Sequence, residues 1–378
     1  MNPLYEKSKE LHKKHNGKLS VVSTVSLKNK DDLSIAYTPG VAGVCLAISE
    51  DNTLAREYTI KGNTIAVISD GSAILGLGNL GPLSAIPVME GKAAIFKEFG
   101  NVDAFPICLD TQDTEEIIKI VKQISPVFGG INLEDISAPR CFEIEERLRK
   151  ELSIPVMHDD QWGAATVTLS AIINALELRG TNKEDTVVVL SGVGAAGVAT
   201  GRLLHEYGIN KTIFCDSKGI IHKGRNDLTK EKIELLNGSS IEKNEGVLRD
   251  ALKNADVFIG LSKGGVLNKE MIASMNKNPI IFALANPTPE IMPDEAKEAG
   301  AFIIATGRSD FPNQINNSLV FPALFRAMLD KKIPQFKNEL FVKVAIALAQ
   351  VVENKNTENI IPSMFDKKVY EAVYNAVS

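Results

Sequence analysis

The run DTVVVLSG (185–192) is apolar and rich in β-branched residues, and it ends directly on Gly192-Val193-Gly194-Ala195-Ala196-Gly197. Strand, glycine turn and helix (VATGRLLHEYG) in immediate succession demand a parallel strand that feeds a helix across a tight loop. Gly192 allows the turn, Gly194 lets the backbone approach a pyrophosphate, and Gly197 lets helix and strand pack closely. The helix opening at Ala195 and Ala196 presents its N-terminus to the phosphates. The next strand, TIFCDS (212–217), places Asp216 at its end. A carboxylate there bonds ribose hydroxyls and repels a 2′-phosphate, which favours NAD over NADP, although the adjacent Lys218 softens that preference. A glycine-rich turn with no ligand is the competing reading.

Short apolar strands alternate with helical patterns through most of the chain, so an α/β fold with parallel sheets is expected. Strands are predicted at 64–71, 103–110, 126–135 and 154–160, then at 185–192, 212–217, 256–262, 279–287 and 301–307. Ile117, Ile120, Val121 and Ile124 repeat at helical spacing behind Asp113 and Glu116, which stand in capping-box spacing. A long apolar helix is expected over Ala164–Leu178, and the pattern after Asn317 is helical to the end. We therefore expect two domains: 1–160, and a Rossmann-like dinucleotide-binding domain over 161–316, with helices of 317–378 packing back on the first.

At 378 residues and a net charge of −5, the chain is long enough for two cores and lacks the positive charge that a polyanion partner requires. The start, MNPLYEKSKELHKKHNGK, is too polar for a signal peptide, and no 18-residue apolar run is evident. Cys45, Cys108, Cys141 and Cys215 lie far apart without metal-ligand spacing, which fits a reducing, cytoplasmic setting.

Two predicted strands end in acids: Glu134 and Asp135 on one, Asp159 and Asp160 on the next. Parallel strands deliver their ends to one crevice, and hard oxygen ligands without Cys or paired His suit Mg²⁺ or Mn²⁺. Helix capping explains the same acids equally well. The neighbouring His158 reads as structural, and Trp162, the only tryptophan, as packing. Lys92, on a short helix, becomes a general base only if burial or a nearby cation lowers its pKa; a solvated lysine is commoner. Lys97 projects to another side. Tyr37 precedes a Pro-Gly turn, and Asn286 and Asn317 lie at strand-end turns, where asparagine serves either turn chemistry or recognition of a carboxylate.

Together SIAYTPGVA, ISDGSAILGLGNLGP, PVMEGKAAIFKEFG, INLEDISAPRCFEIE, IPVMHDDQ, the glycine loop, ALANPTPE and TGRSDFPNQINN resemble the malic enzymes of the short bacterial and archaeal type, over nearly the whole chain. The resemblance implies oxidative decarboxylation of malate to pyruvate and CO2 with reduction of NAD or NADP, in a homodimer. It implies that Glu134, Asp135 and Asp160 hold the metal, that Lys92 is the general base and Tyr37 the general acid, and that Asp159 lies beside the lysine. Asn286 and Asn317 would contact substrate carboxylates, Asn286 also lying at the cofactor. The chain departs from the family at Trp162 and Ala164, where His and Thr are usual, at Ala73, where larger members carry Arg, and at Ala323 and Ala327, where glycines are usual. Trp162 would then reshape the substrate pocket or the nicotinamide side. An oxaloacetate decarboxylase of the same family, or a silent nucleotide-binding protein, are the alternatives. The extra acyltransferase-like domain of longer relatives is not expected.

Overall fold

Each half of the chain is organised by one parallel sheet, in a computed structural model that describes residues 3–241 and 245–377. The first sheet comprises β1 (Thr64–Ser69), β2 (Asp103–Cys108), β3 (Gly130–Leu133) and β4 (Val156–His158) in the order β2-β1-β3-β4. Strands β1, β3 and β4 are buried throughout, as their unbroken apolar runs require when helices cover both faces. The second sheet holds β5 (Val188–Ser191), β6 (Thr212–Asp216), β7 (Gly219–Ile220), β8 (Val257–Gly260), β9 (Ile280–Ala283) and β10 (Ile303–Thr306). Its order is β10-β9-β8-β5-β6-β7, with chain direction reversed only in β7. The sequence pattern did not forecast β7, because two residues carry no periodicity. The strand order reverses around β5, so the crevice beyond its C-terminal end is where a ligand of this architecture sits.

The helix Thr114–Ile124 is capped by the Asp113 carboxylate, which accepts the Glu116 N–H, and it buries Ile117, Ile118 and Val121. The long helix is Asp159–Arg179, five residues longer at its start than the apolar pattern suggested. Asp159 and Asp160 therefore occupy its first turn instead of closing a strand. Acids are favoured there by the free N–H groups and the helix dipole, while the apolar stripe begins only where the helix enters the core. This helix packs on both Ala195–Tyr207 and Asn338–Gln350 and so ties the two sheets together.

The helix Phe321–Asp330 lies against Pro82–Gly100, with the Phe96 ring 4.7 Å from Phe321 and 5.4 Å from Phe325. Helices Asn338–Gln350 and Lys367–Ala376 follow, but the connections around Pro334 and Pro362 are not helical, since proline lacks the N–H that a helix interior needs. The stretch Lys30–Glu50 is apolar and long enough, by composition alone, to match a membrane span. It is split at Tyr37-Thr38-Pro39-Gly40 into helices Lys30–Ala36 and Val41–Glu50. Ten helical residues reach only about 15 Å, half a hydrocarbon core. Neither helix has a buried residue.

His205, on the helix after the glycine loop, stands edge-on to Phe214 at 5.7 Å. Burial pulls its pKa from 6.5 down to about 4. The unfolded chain thus binds a proton that the folded one refuses. This group's contribution is complete well above pH 6.5 and falls as pH drops toward 4, by about 2.5 kcal/mol at pH 4.5. Urea unfolding of His205→Leu at pH 7 and 4.5 should show a loss smaller than the parent's by that amount.

Candidate active site

The helix Pro82–Gly100 turns Ala85, Met89, Lys92, Ala93 and Phe96 inward, so Lys92 is carried by the buried face and is only 7% exposed. The commoner solvated lysine is excluded by that register. Its Nζ lies 2.6 Å from Asp159 Oδ2, 2.9 Å from Glu134 Oε1 and 4.4 Å from the centre of the Phe321 ring. Three separate segments thus meet at one ammonium: the helix after β1, the end of β3 and the first turn after β4. Burial by itself lowers the lysine pKa, but Asp159, Glu134 and Asp160 outweigh it and hold the group charged, well above its ordinary range.

Glu134, Asp135 and Asp160 each offer a carboxylate oxygen within 4.8 Å of the others. Asp135 adopts the left-handed conformation, φ 53°, and its N–H donates to Asp160 Oδ2 at 2.8 Å. Asp135 Oδ2 is buried with no partner among the described residues. A buried carboxylate oxygen left so is costly, and a divalent cation would satisfy it. The strain of the gathered charges is visible in their protonation. Burial, then the neighbouring acids against the pull of Lys92, raises Glu134 well above its ordinary value; burial and then Asp160 raise Asp135 to about 7. Asp160 goes the other way: against burial, the His158 hydrogen bond holds it below its ordinary value. Three hard carboxylate oxygens so gathered are the donor set Mg²⁺ or Mn²⁺ requires, and the residues present fit such an ion.

Gly163 faces this cluster. A Cβ there would fall 1.9 Å from Asp159 Oδ1 and 3.0 Å from Asn317 Cβ, which places Asn317 beside Asp159. Asn286, just beyond β9, touches the loop that follows β1: a Cβ on Gly76 would meet its carbonyl oxygen at 2.3 Å, and one on Gly307 its amide nitrogen at 2.7 Å. That loop is fixed from below by the fully buried Asp70, 2.8 Å from Arg140. Sequence reasoning missed this pair. Its signal was present, since both residues fall within quoted segments, but 70 positions of separation conceal a contact.

At the glycine loop, Gly192 has φ 101°, and a Cβ on Gly197 would strike the Gly192 carbonyl at 1.9 Å. A Cβ on Gly194 would meet nothing within 4 Å, and no side chain caps the helix at Ala195 and Ala196. Open space before free N–H groups fits a pyrophosphate. Asp216 is not a free ribose acceptor as expected. Arg225 grips both its oxygens at 2.8 and 2.9 Å, Lys232 adds a third contact at 2.7 Å, and the Lys218 N–H a fourth at 2.9 Å. Against burial, these cations hold its pKa down to about 2. The Lys218 ammonium turns away to Asp227.

Tyr37 is 66% exposed, and among the described residues no hydrogen bond ties it to Lys92 or the carboxylates. Trp162 does not face the site. Its ring lies flat on Phe341, 4.8 Å between centres and 9° between planes, and its Nε1 donates to Glu145. The packing reading holds for it, and the expectation that it reshapes the substrate pocket does not. His158 is buried, with Nε2 3.3 Å from Asp160 Oδ2, so it supports that acid from behind.

Residues 16–149 match the family model of the malic enzyme N-terminal domain, and residues 162–375 that of the malic enzyme NAD-binding domain. The chain is 51% identical to the bifunctional malic/malolactic enzyme of Bacillus subtilis, over 99% of its own length and 92% of the relative's. It is 53% identical to the NAD-dependent malic enzyme of Geobacillus stearothermophilus, over 96% and 76%. The crystal structure of the NAD-dependent malic enzyme from Thermotoga maritima superposes with a TM-score of 0.94 at 47% identity, covering 98% of both chains. With a buried lysine set among four acids on one sheet and a dinucleotide loop on the other, these matches show that the chain belongs to the malic enzyme family.

Proposed function

We propose that the protein converts malate to pyruvate and CO2 while reducing a nicotinamide dinucleotide, with Mg²⁺ or Mn²⁺ held by Glu134, Asp135 and Asp160. The observation that carries the reading is the Lys92 ammonium between Asp159 and Glu134, beside three acids able to share one cation. Held there, a cation would supply Lewis acidity for loss of the carboxylate and would offset the negative charge that keeps Lys92 protonated. Lys92 takes the 2-hydroxyl proton as hydride leaves C2 for the nicotinamide. Asp159 holds the lysine in line. Asn286 and Asn317 bind substrate carboxylates through their amides, Asn286 at the cofactor side. Gly192, Gly194, Ala195, Ala196 and Gly197 receive the pyrophosphate. Tyr37 protonates C3 of the enolate left by decarboxylation, completing pyruvate.

NAD is the preferred cofactor, as for the 53% identical relative named an NAD-dependent malic enzyme. Asp216 is already neutralised by Arg225 and Lys232, so repulsion of a 2′-phosphate is weak and NADP is accepted as the poorer cofactor. The exposed N-terminal arm supports a homodimer. Val21, Val22, Ile35 and Leu46 are 89, 78, 76 and 64% exposed, and the short apolar helix Val41–Glu50 has no core of its own. A second copy covers this arm, and with it the segment that bears Tyr37. All four cysteines are free, in keeping with the cytoplasm.

Absorbance of the reduced nicotinamide, with pyruvate assayed alongside, tests the reaction. Malate with Mn²⁺ and NAD should give the two products one to one, with NADP slower. Metal-dependent pyruvate release from oxaloacetate, without reduction from malate, would establish the decarboxylase instead. Lys92→Ala should lower kcat by about 10³-fold and Tyr37→Phe by about 10²-fold. Sedimentation equilibrium should give twice the 41.0 kDa chain mass, and Val22→Glu with Ile35→Glu should yield monomers. A monomeric parent chain at micromolar concentration would refute the dimer.

A further inference from the structure

One buried acid near the site takes no part in the chemistry above. Glu145 sits on the helix Arg140–Glu151 and is 4% exposed. Its Oε1 accepts the His158 backbone N–H at 2.9 Å, and its Oε2 accepts Gln161 Nε2 at 2.9 Å and Trp162 Nε1 at 3.0 Å. These donors flank Asp159 and Asp160 on both sides. One carboxylate therefore grips the turn that carries the lysine's partner and a metal-site acid. The grip is continued inward: Gln161 Nε2 also lies 3.1 Å from His158 Nδ1, and His158 Nε2 lies 3.3 Å from Asp160 Oδ2.

The Trp162 donor is itself held in direction. Its ring is stacked on Phe341, and the Arg149 guanidinium lies over it at 5.4 Å. Arg149 Nε stands 3.6 Å from Glu145 Oε1, so the carboxylate keeps a cation nearby as well as three donors. A buried carboxylate saturated in this way holds its donors rigidly. Groups that orient a metal's ligands from outside commonly govern affinity about as strongly as tenfold or more.

We propose that Glu145 is a positioning residue for the Asp159–Asp160 turn, with the Trp162 indole as the donor that completes its hold. The inference rests on the reading that Asp160 is a metal ligand, so Asp160→Asn accompanies the test. Glutamine at 145 keeps the shape but turns an N–H donor toward Trp162 or Gln161, whereas Trp162→Phe keeps the stacking and removes one bond.

The measurement is Mn²⁺ binding to the full chain without malate or nicotinamide, read from the electron paramagnetic resonance of free Mn²⁺, together with KM and kcat. Glu145→Gln should weaken Mn²⁺ binding about tenfold or more. Trp162→Phe should weaken it about fivefold, as loss of one buried hydrogen bond implies. Both should raise the malate KM while leaving the NAD KM within about twofold, a split that general loosening of the fold would not produce. Should Glu145→Gln fail to fold, Trp162→Phe decides alone. Unchanged Mn²⁺ affinity in the variants that fold, with Asp160→Asn defective, overturns the positioning role only. Unchanged affinity in Asp160→Asn overturns it together with the metal assignment beneath it.

Discussion

A lysine ammonium buried between two carboxylates is the constraint around which this molecule is arranged. Removing such a charge from water costs several kcal/mol, and the cost is recovered only when partners stand at hydrogen-bond distance. Asp159 and Glu134 do so, and each arrives on a different segment. The helix register that buries Lys92, the length of β3 and the point at which β4 gives way to a helix must therefore agree within a fraction of an ångström. Burial, and then Asp160, raise the Asp135 carboxyl to about 7, and one of its oxygens is buried without a partner among the described residues. Acids gathered in sound geometry against burial and mutual repulsion are what pre-organisation for a cation means physically.

The large elements were legible in the sequence because they repeat. The nine expected strands are present in shorter form, and the glycine loop stands where strand, turn and helix had to meet. The limits of periodicity appear at Asp159 and Asp160. A helix that starts in an active site begins with polar residues, so its apolar stripe announces it five residues late. Lys92 shows the complementary failure. A single lysine among alanines looks solvated until the inward face of its helix is known, and that face is set by Met89 and Phe96 packing on elements far away in the chain. Asp216 was placed correctly at its strand end, but its partners Arg225 and Lys232 come from the following loop and helix, whose geometry no local pattern specifies.

Trp162 illustrates how a departure from a family pattern is to be weighed. Proximity to Asp160 in sequence suggested influence on the substrate. On a helix, two residues' separation is a turn of about 200°, so the indole lies on the side opposite Asp160 and packs against Phe341. Its tie to the site runs instead through a shared acid, Glu145.

The path of the helix Asp159–Arg179 has a mechanical consequence. Its first turn supplies Asp159 and Asp160, and its body packs against the helix that follows the glycine loop, whereas Glu134, Asp135 and Lys92 belong to the first sheet and its covering helix. All four acids nonetheless stand just beyond the paired ends of β3 and β4, so the cluster stays with the first sheet while the helix reaches the second. A rigid rotation of one sheet against the other therefore leaves the acids together, and the helix Asp159–Arg179 becomes the lever that carries them toward or away from the glycine loop.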